Sequence, residues 1–358
     1  MTRAGGAAAL GALLLTAALT FGADTLYVPG IGLLLLSAAA WIWVALAAAG
    51  AGLERHGGPH AVEEGHAWPL VLDRRRGLVR PPGGELVEPV LRRPLPIGRG
   101  SPARVRVDVR FERRGRRTLQ AAQLSIQDPL GLARRELTAP PIELIVLPGI
   151  EPVLAPDGGR PAGPAGRAGR PLAAAAEVEL DALRPYRQGA PAARIHWPTV
   201  ARTGTVMERR LAADADSRPL VVLDSRRPPS RDALDSAVRA AASLCVHLAR
   251  AGGCALLLPG DRRASDIDPE LHAWPALHVR LALVEADDRA PVAGRIERAG
   301  AVFWVAAGVS SPPPGLARAA AAERYLVTPL TRDRAAPNSF VVAGCAGRAL
   351  GRGARRAA

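Results

Sequence analysis

Two long uncharged runs of apolar residues open the chain. One covers residues 4–23 and consists mainly of alanine and leucine, and the other covers residues 25–53. Each run reaches the roughly 20 residues that a helix needs to cross the hydrocarbon layer of a membrane. We therefore predict two transmembrane helices within residues 1–53, joined as a hairpin by a short turn at Asp24.

A cleaved signal peptide followed by one anchor is the alternative for this region. We favour the hairpin because the second run follows the first so closely. Arg3 precedes the first run and Arg55 follows the second, so the positive-inside rule assigns both ends of the hairpin to the cytoplasm. The prediction is a two-span protein of the cell membrane with cytoplasmic soluble domains.

Residues 54–67 contain His56, His60 and His66. Their spacing differs from that of a helical i, i+4 metal-binding pair with a supporting acid. We predict a solvated juxtamembrane linker here rather than a metal site.

Short alternating segments indicate a β-domain at residues 68–154. Residues 105–111 alternate apolar and polar side chains, as a half-buried strand does. Residues 123–127 and 142–148 give two further strands. The spacing of strands and turns predicts a small antiparallel β-sandwich of about 80 residues.

A tight turn is expected in this domain at the sequence DPLGLARR, which begins at Asp128. Asp128 and Pro129 followed by Gly131 are typical turn residues. The side chains of Leu130 and Leu132 are expected to hold the turn against the core.

Residues 155–171 are rich in glycine, proline and arginine and predict a linker with little to bury. Beyond it, strands and helices alternate through residues 172–350. Residues 220–223 form a continuous apolar strand, and Ser230 is expected to cap a helix that stops at Gly252. The alternation predicts an α/β domain with a doubly wound, mostly parallel sheet.

Further elements complete this α/β pattern. Apolar runs predict strands at residues 255–259, 279–285 and 301–307. Helices are predicted at residues 292–298 and 315–324, and residues 351–358 form a basic tail.

The charge of the chain bears on its partners. A net charge of +14 ordinarily suggests nucleic acid or an anionic membrane. However, the chain contains no lysine, and its abundance of arginine, alanine, glycine and proline is typical of codon bias in a GC-rich genome. Aromatic residues, which stack on bases in single-strand binders, make up only 4% of the chain. We therefore do not expect a nucleic-acid partner.

The cysteines are Cys245, Cys254 and Cys345, an odd number without a CxxC pair. Their apolar surroundings predict reduced, buried thiols rather than a disulfide framework or a zinc site. Such thiols suit a cytoplasmic C-terminal half.

The central motif, LRPYRQGAPAARIHWPTVAR at residues 183–202, shows neither a helical nor a strand period. Together with residues 114–135 and 145–153, it resembles motifs of a family of bacterial membrane proteins, the domain of unknown function 58 (DUF 58) family. The candidate residues of the central motif are Arg184, Tyr186, Gly189, Arg194, Ile195, His196, Trp197, Ala201 and Arg202.

The resemblance implies two membrane helices, a β-domain and a von Willebrand factor A-like α/β domain. In the β-domain it marks the turn residues Asp128, Pro129, Gly131 and Leu132. It further implies two partners, a MoxR-type AAA ATPase and a transglutaminase-like membrane protein. Because the sequence shows no catalytic constellation, we expect a non-catalytic scaffold or interaction protein.

The role of the central motif stays open at this point. Its arginines, Tyr186 and Trp197 are residue types that serve as interface anchors. The same residues could instead lock the β-domain to the α/β domain within one chain. The motif also has Ala190 and Ala193 where the family usually has an aspartate and commonly a basic residue. Losing both partners of an ion pair together is better tolerated than losing one.

A metal-ion-dependent adhesion site would begin Asp-x-Ser-x-Ser after the first strand of an A-like domain. Here the run is Asp224, Ser225, Arg226, Arg227 and Pro228. Arg226 and Pro228 remove both hydroxyls, whereas magnesium normally takes six hard oxygen ligands. We predict a degenerate remnant at Asp224 and Ser225, with neither a metal nor another cofactor. Asp224 is expected to pair with Arg226 or another arginine, or to remain structural at the switch point of the sheet.

The alternative function is a cell-envelope hydrolase or transferase with an unidentified active site. The chain contains no GxSxG elbow, P-loop, HExxH or dinucleotide-binding glycine pattern. His196 is a candidate acid or base, although packing within its loop is the preferred explanation. Asp214 and Asp216 are interpreted as a solvated acidic turn rather than a cation site.

Overall fold

The computed structural model describes residues 3–98, 100–154, 180–185, 197–211, 218–289, 291, 299–308, 312–317, 321, 323–330 and 339–350. The chain forms two compact units. Unit 1 comprises Met1–Glu112 and Arg116–Val146, and unit 2 comprises Arg113–Gly115 and Leu147–Ala358. Unit 2 therefore begins earlier than the predicted domain boundary at residue 154.

Unit 1 opens with two apolar helices, α1 (Arg3–Phe21) and α2 (Tyr27–Ala48), separated by a short 3₁₀ turn. Both helices are long and apolar enough to cross a membrane. They approach closely at two glycines, since a Cβ on Gly11 would lie 2.9 Å from the carbonyl oxygen of Gly30. Small residues at such a crossing let two helix backbones pack together. The predicted pair of apolar helices is confirmed.

The rest of unit 1 is a β-domain. Its described strands are β1 (Gly52–Gly57), β2 (Ala61–Glu63), β3 (Ala67–Arg75), β4 (Gly84–Val87), β5 (Leu95–Pro96), β6 (Arg104–Arg110), β7 (Gly115–Leu119), β8 (Ala122–Gln127), β9 (Arg134–Ala139) and β10 (Ile142–Leu147). They form three sheets, in the orders β1-β3-β6, β2-β10-β7 and β5-β4-β8-β9. Trp68, Leu70 and Leu72 alternate along the buried face of β3 and belong to one shared core. The β-domain thus has three small sheets around one shared core rather than a simple two-sheet sandwich.

The predicted linker at residues 54–67 is wrong, because β1 and β2 occupy much of it and β1 pairs antiparallel with β3. The buried side chain of Arg55 forms an ion pair with the buried Glu88, with 2.9 Å between Nη2 and Oε1. Burial raises the pKa of the Glu88 carboxyl against the opposing effect of the Arg55 charge. A buried charged residue conceals a strand from a hydrophobicity pattern, since arginine is rarely buried. The three histidines of this segment, His56, His60 and His66, are exposed, as predicted.

The predicted Asp-Pro-x-Gly turn is present between β8 and β9. Buried Asp128 accepts hydrogen bonds from the backbone N–H groups of Leu130 at 2.9 Å and Ala133 at 2.5 Å. Gly131 has a φ of +69°, a conformation that glycine adopts without strain. Leu132 packs into an apolar cluster with the end of α2, whereas Leu130 is largely exposed. The prediction that both leucines pin the turn is therefore wrong for Leu130.

The described residues of unit 2 form a seven-stranded sheet in the order β15-β14-β13-β16-β17-β19-β18. Its strands are β13 (Leu220–Asp224), β14 (Cys254–Leu257), β15 (Ser265–Ile267), β16 (Ala301–Ala306), β17 (Glu323–Pro329), β18 (Phe340–Val342) and β19 (Cys345–Leu350). β14, β13, β16 and β17 run parallel, whereas β15 and β19 pair antiparallel with their neighbours. A separate antiparallel pair, β11 (Leu180–Pro185) and β12 (Met207–Leu211), flanks helix α3 (Trp197–Thr203).

Helices cover both faces of the large sheet. On one face, α4 (Arg231–Arg250) and α5 (Trp274–Ala282) belong to the same core as the alternate residues Val221 and Leu223 of β13. On the other face, Val222 packs in a cluster with Leu316 of α6 (Pro314–Ala317). The hydroxyl of Ser230 accepts a hydrogen bond from the N–H of Ala233 at 3.1 Å and caps α4 as predicted. The described sheet is therefore mixed rather than mostly parallel, with three parallel and three antiparallel strand pairings, and helices lie on both of its faces.

Several predicted elements of this unit need correction or fall outside the described residues. The strand predicted at residues 279–285 is wrong, because α5 extends to Ala282. A short continuous apolar run does not distinguish a buried strand from a buried helix. The helix predicted at residues 315–324 is shorter than expected, since β17 begins at Glu323. The predicted linker (155–171), helix (292–298) and tail (351–358) lie outside the described residues.

The predicted state of the cysteines is confirmed. Cys245, Cys254 and Cys345 are all free and buried. Burial raises the pKa of the Cys345 thiol to about 12, so that the thiol stays protonated at neutral pH.

Candidate functional site

The candidate site lies at the carboxyl end of β13, an interior strand of the large sheet. β13 pairs with β14 on one side and with β16 on the other. The chain connections therefore diverge at this strand, which is where open α/β sheets have their binding crevice. Asp224 is the last residue of β13, and it is completely buried.

Arg226 forms an ion pair with the carboxylate of Asp224. Its Nε donates to Oδ1 at 2.9 Å and its Nη2 donates to Oδ2 at 2.7 Å, which is a bidentate pair. The backbone N–H of Arg226 also donates to Oδ1 at 3.2 Å, and Trp304 Nε1 donates to Oδ2 at 3.1 Å. Hydrogen bonding to Asp224 raises the pKa of the Arg226 guanidinium, although partial burial opposes the shift. Both roles that the sequence left open for Asp224 are therefore observed, since it pairs with Arg226 and lies at the switch point of the sheet.

The loop that carries Arg226 is held tightly against the end of β16. A Cβ on Gly308 would lie 1.9 Å from the carbonyl oxygen of Arg227, so no larger residue fits there without a shift of the backbone. Arg227 itself has a φ of 42°, which is uncommon for a residue other than glycine. The N–H of Ala307 donates to the carbonyl oxygen of Asp224 at 3.0 Å and ties the two strand ends together. These contacts fix the backbone on either side of Arg226.

The residues of this site do not fit a divalent cation. Magnesium needs several oxygen ligands, and the two carboxylate oxygens of Asp224 already accept four hydrogen bonds. The guanidinium of Arg226 adds a positive charge where the ion would bind. Among the described residues, the buried Ser225 hydroxyl has no hydrogen-bond partner, but a single hydroxyl does not complete a coordination shell.

The central motif is described only in part. Arg184 lies on β11, where its Cα is paired with that of Glu208. Trp197 is the first residue of α3 and is 64% exposed, and Ala201 and Arg202 of the same helix are exposed too. The motif residues outside the described residues are Tyr186, Gly189, Arg194, Ile195 and His196, as are the acidic residues Asp214 and Asp216.

A second feature of unit 2 is a cavity of about 580 Å³ beside α4, which the sequence did not indicate. Ile150, Val153 and Val246 give it apolar walls, and Ser243 and His247 add polar groups. The hydroxyl of Ser243 accepts a hydrogen bond from the N–H of Glu151 at 2.9 Å. Burial lowers the pKa of His247, so the imidazole is neutral at pH 7. The cavity is a mostly apolar recess, with Glu151 and Arg250 as the charged residues of its lining.

An exposed acidic group on the β15–α5 connection is the remaining cluster of possible ligands among the described residues. Asp268, Glu270 and His272 bring one ligand atom each within 4.8 Å of one another. Asp268 accepts a hydrogen bond from the N–H of His272 at 3.0 Å and contacts its imidazole. The contact with Asp268 raises the pKa of His272. The group is explained as a solvated, hydrogen-bonded turn.

Comparisons with known proteins leave the family open. No protein-family model, no curated protein and no solved structure matches the chain. The resemblance to the DUF 58 family therefore stays a prediction from its three motifs.

Proposed function

We propose that this chain is a membrane-anchored, non-catalytic interaction protein whose soluble units face the cytoplasm. The observation that carries the proposal is the helical hairpin, which begins and ends on the same β-domain. The N–H of Ala4 at the start of α1 donates to the carbonyl oxygen of Leu132 at 2.9 Å. After the end of α2, the carbonyl oxygen of Ala49 accepts a hydrogen bond from the N–H of Leu78 at 3.0 Å.

The surface of the hairpin supports insertion into a bilayer. The large apolar side chains exposed along it include Leu13, Leu19, Phe21, Val28, Leu35 and Trp41. A contiguous apolar surface of this kind is rare on soluble monomers and marks contact with a membrane or another protein. Its length and lack of charge favour the membrane.

The charges at the two ends of the hairpin support a cytoplasmic orientation. Arg3 lies at the start of α1, and the end of β3 together with the loop that follows it, beside the end of α2, contributes Arg74, Arg76 and Arg80. The opposite end, at the turn between the helices, carries the acidic Asp24. Arginine accumulates on the cytoplasmic side of membrane proteins. The fold thus brings these three arginines to the end of the hairpin where α1 begins and α2 ends. In the sequence they lie too far from α2 to be included when basic residues near a membrane helix are counted.

Reporter fusions test this arrangement. We expect alkaline phosphatase fused after Ala358 to be inactive and the same enzyme inserted after Ala23 to be active, because that enzyme matures only outside the cytoplasm. Fluorescence of a green fluorescent protein at the same two positions is the matched control and should show the opposite pattern. An active phosphatase at the C-terminus would contradict the proposal and favour the alternative, an envelope hydrolase or transferase.

We further propose that unit 2 is a von Willebrand factor A-like domain with a degenerate, closed metal site. The strand order supports this, because the first strand lies between the second and the fourth, with an antiparallel third strand at the edge. The paired Asp224 and Arg226 support an interaction that needs no bridging ion. Partners of the kind implied by the DUF 58 resemblance, a MoxR-type AAA ATPase and a transglutaminase-like membrane protein, fit a domain of this type.

The exposure of Trp197 supports a partner surface on α3, since tryptophan is among the residue types enriched at the energetic centres of interfaces. We expect Trp197→Ala to weaken capture of a co-expressed MoxR-type ATPase at least about tenfold while leaving the melting temperature unchanged. Val206→Ala, on the same segment, is the matched control and should retain capture. A lower melting temperature with intact capture would instead show that Trp197 packs within the chain.

A further inference from the structure

The end of α2 is joined to the β-domain by a backbone contact that leaves no space for a side chain. A Cβ on Gly77 would lie 2.0 Å from the carbonyl oxygen of Ala47. Close by, Trp43 Nε1 donates to the carbonyl oxygen of Arg80 at 3.3 Å. The segment 76–80 therefore lies at the level of the last turns of α2, where tryptophan marks the boundary between hydrocarbon and water.

A basic pocket of about 390 Å³ opens at this level. It is lined by Arg74, Arg76 and Arg80, together with Ser101 and Pro102. Among the described residues, no carboxylate lies within ion-pair distance of these three arginines. The neighbouring Arg75 differs, since its Nη2 lies 3.0 Å from Oε1 of Glu54.

Arg74 has unused donors in this part of the β-domain. Its Nη2 donates to the carbonyl oxygen of Ser101 at 3.2 Å, whereas its Nε and Nη1 are buried and have no partner among the described residues. Burial, assisted by the charge of Arg76, lowers the pKa of Arg74. Unpaired buried donors and uncompensated positive charges both favour an anionic ligand.

The surroundings of the pocket also accommodate hydrocarbon. A second cavity of about 360 Å³ shares Arg74 and Ser101 with the basic pocket, and its walls are mainly apolar, with Leu53, Leu72 and Val105 among them. Leu78, between two of the arginines in sequence, is 75% exposed. A ligand with a phosphate next to an apolar part matches this combination better than free phosphate does.

We propose that the pocket formed by Arg74, Arg76 and Arg80 binds the phosphate of an anionic phospholipid of the membrane that holds the hairpin. The inference rests on the proposed membrane anchoring. Arg76 and Arg80 are exposed and provide the attraction, and Arg74, which also lines the pocket, adds a third positive charge. Leu78 lies among the acyl chains beside the headgroup.

Native mass spectrometry of the full chain in neutral detergent, titrated with phosphatidylglycerol or phosphatidylcholine, tests the proposal. We expect phosphatidylglycerol to bind at least about tenfold more tightly than phosphatidylcholine, because each arginine near an anionic headgroup contributes appreciably. Arg76→Gln/Arg80→Gln should abolish that preference. Arg92→Gln/Arg93→Gln, which changes two exposed arginines of the same domain outside the pocket, should retain it.

The other outcomes separate the two proposals. Equal binding of both lipids by the unaltered chain, or an unchanged preference in the Arg76/Arg80 variant, would overturn the lipid site. Displacement of the lipid by millimolar inorganic phosphate would show that the pocket recognises free phosphate and would overturn the lipid assignment. Flotation of the full chain with vesicles of pure phosphatidylcholine reports on anchoring alone, and its failure would count against the proposed function instead.

Discussion

Replacing Arg114 with methionine is expected to lower the free energy of unfolding of unit 2 by about 3–5 kcal/mol, the usual cost of breaking a buried ion pair from one side. The Nε of Arg114 lies 2.9 Å from Oδ1 of Asp235 on α4, and both side chains are buried. Its Nη1 donates to the carbonyl oxygens of Leu281 at 3.0 Å, Ala282 at 3.2 Å and Val284 at 2.9 Å. Arg114 therefore caps the C-terminus of α5 and neutralises a buried acid on α4, and methionine does neither.

The adjacent Arg113 is the matched control. It also pairs with an acid of α4, with Nη2 2.6 Å from Oδ1 of Asp232, but both side chains are exposed. Arg113→Met should cost less than about 1 kcal/mol, as surface pairs generally do. Hydrogen–deuterium exchange of the α4 and α5 amides in the full chain measures the loss of stability in both variants. Equal effects of the two substitutions would contradict the assigned role of Arg114, and Arg114→Met/Asp235→Leu should recover much of the loss.

Replacing Arg226 with methionine is expected to cost about 3 kcal/mol, because it leaves the buried carboxylate of Asp224 without its counter-charge. This value lies at the lower end of the range for buried pairs, since the Arg226 side chain is 27% exposed and Trp304 still donates to Asp224. Chemical denaturation of the full chain, followed by tryptophan fluorescence, to which the buried Trp304 contributes, measures the loss.

Two further variants make this second prediction specific. Arg227→Met changes an arginine that is 89% exposed and lies 3.9 Å from Asp288, so it should cost less than about 1 kcal/mol. Asp224→Asn/Arg226→Met removes both charges and should be more stable than Arg226→Met alone. A double variant that is less stable than Arg226→Met would show that the stranded charge is not the cause.

The sequence predicts those parts of the fold in which one local pattern dominates. The uncharged runs before and after Asp24 leave few alternatives to a pair of helices. Ser230 and Gly252 mark the two ends of α4, since the cap and the stop signal are local chemistry. The four consecutive buried apolar residues of β13, Leu220 to Leu223, likewise follow from a continuous apolar run.

The parts that the sequence misassigned depend on distant partners. The segment around Arg55 is a strand because Glu88 and the carbonyl oxygens of Gln120 and Pro140 satisfy a buried guanidinium. No local signal distinguishes Arg114, which is buried, from Arg113, which is exposed. The basic pocket is likewise visible only in the fold, because Arg74 and Arg80 meet Ser101 and the end of α2 through tertiary contacts.

The site at Asp224 lies between these extremes. The pairing partner is two residues away, so a sequence-based argument could name Arg226. The donor from Trp304 and the close approach of Gly308 come from β16, and they could not be foreseen. The structure was therefore needed to show that hydrogen bonds occupy both carboxylate oxygens of Asp224. The loss of the two hydroxyl ligands could be inferred from the sequence alone.

The central claim is that Arg226 occupies the carboxylate of Asp224 at the carboxyl end of β13, so that this site binds no metal. Calorimetric titration of the full chain in neutral detergent with magnesium chloride tests it. We predict no saturable binding up to millimolar magnesium and an unchanged melting temperature in its presence. Stoichiometric binding in the micromolar range that disappears in Asp224→Asn would contradict the account.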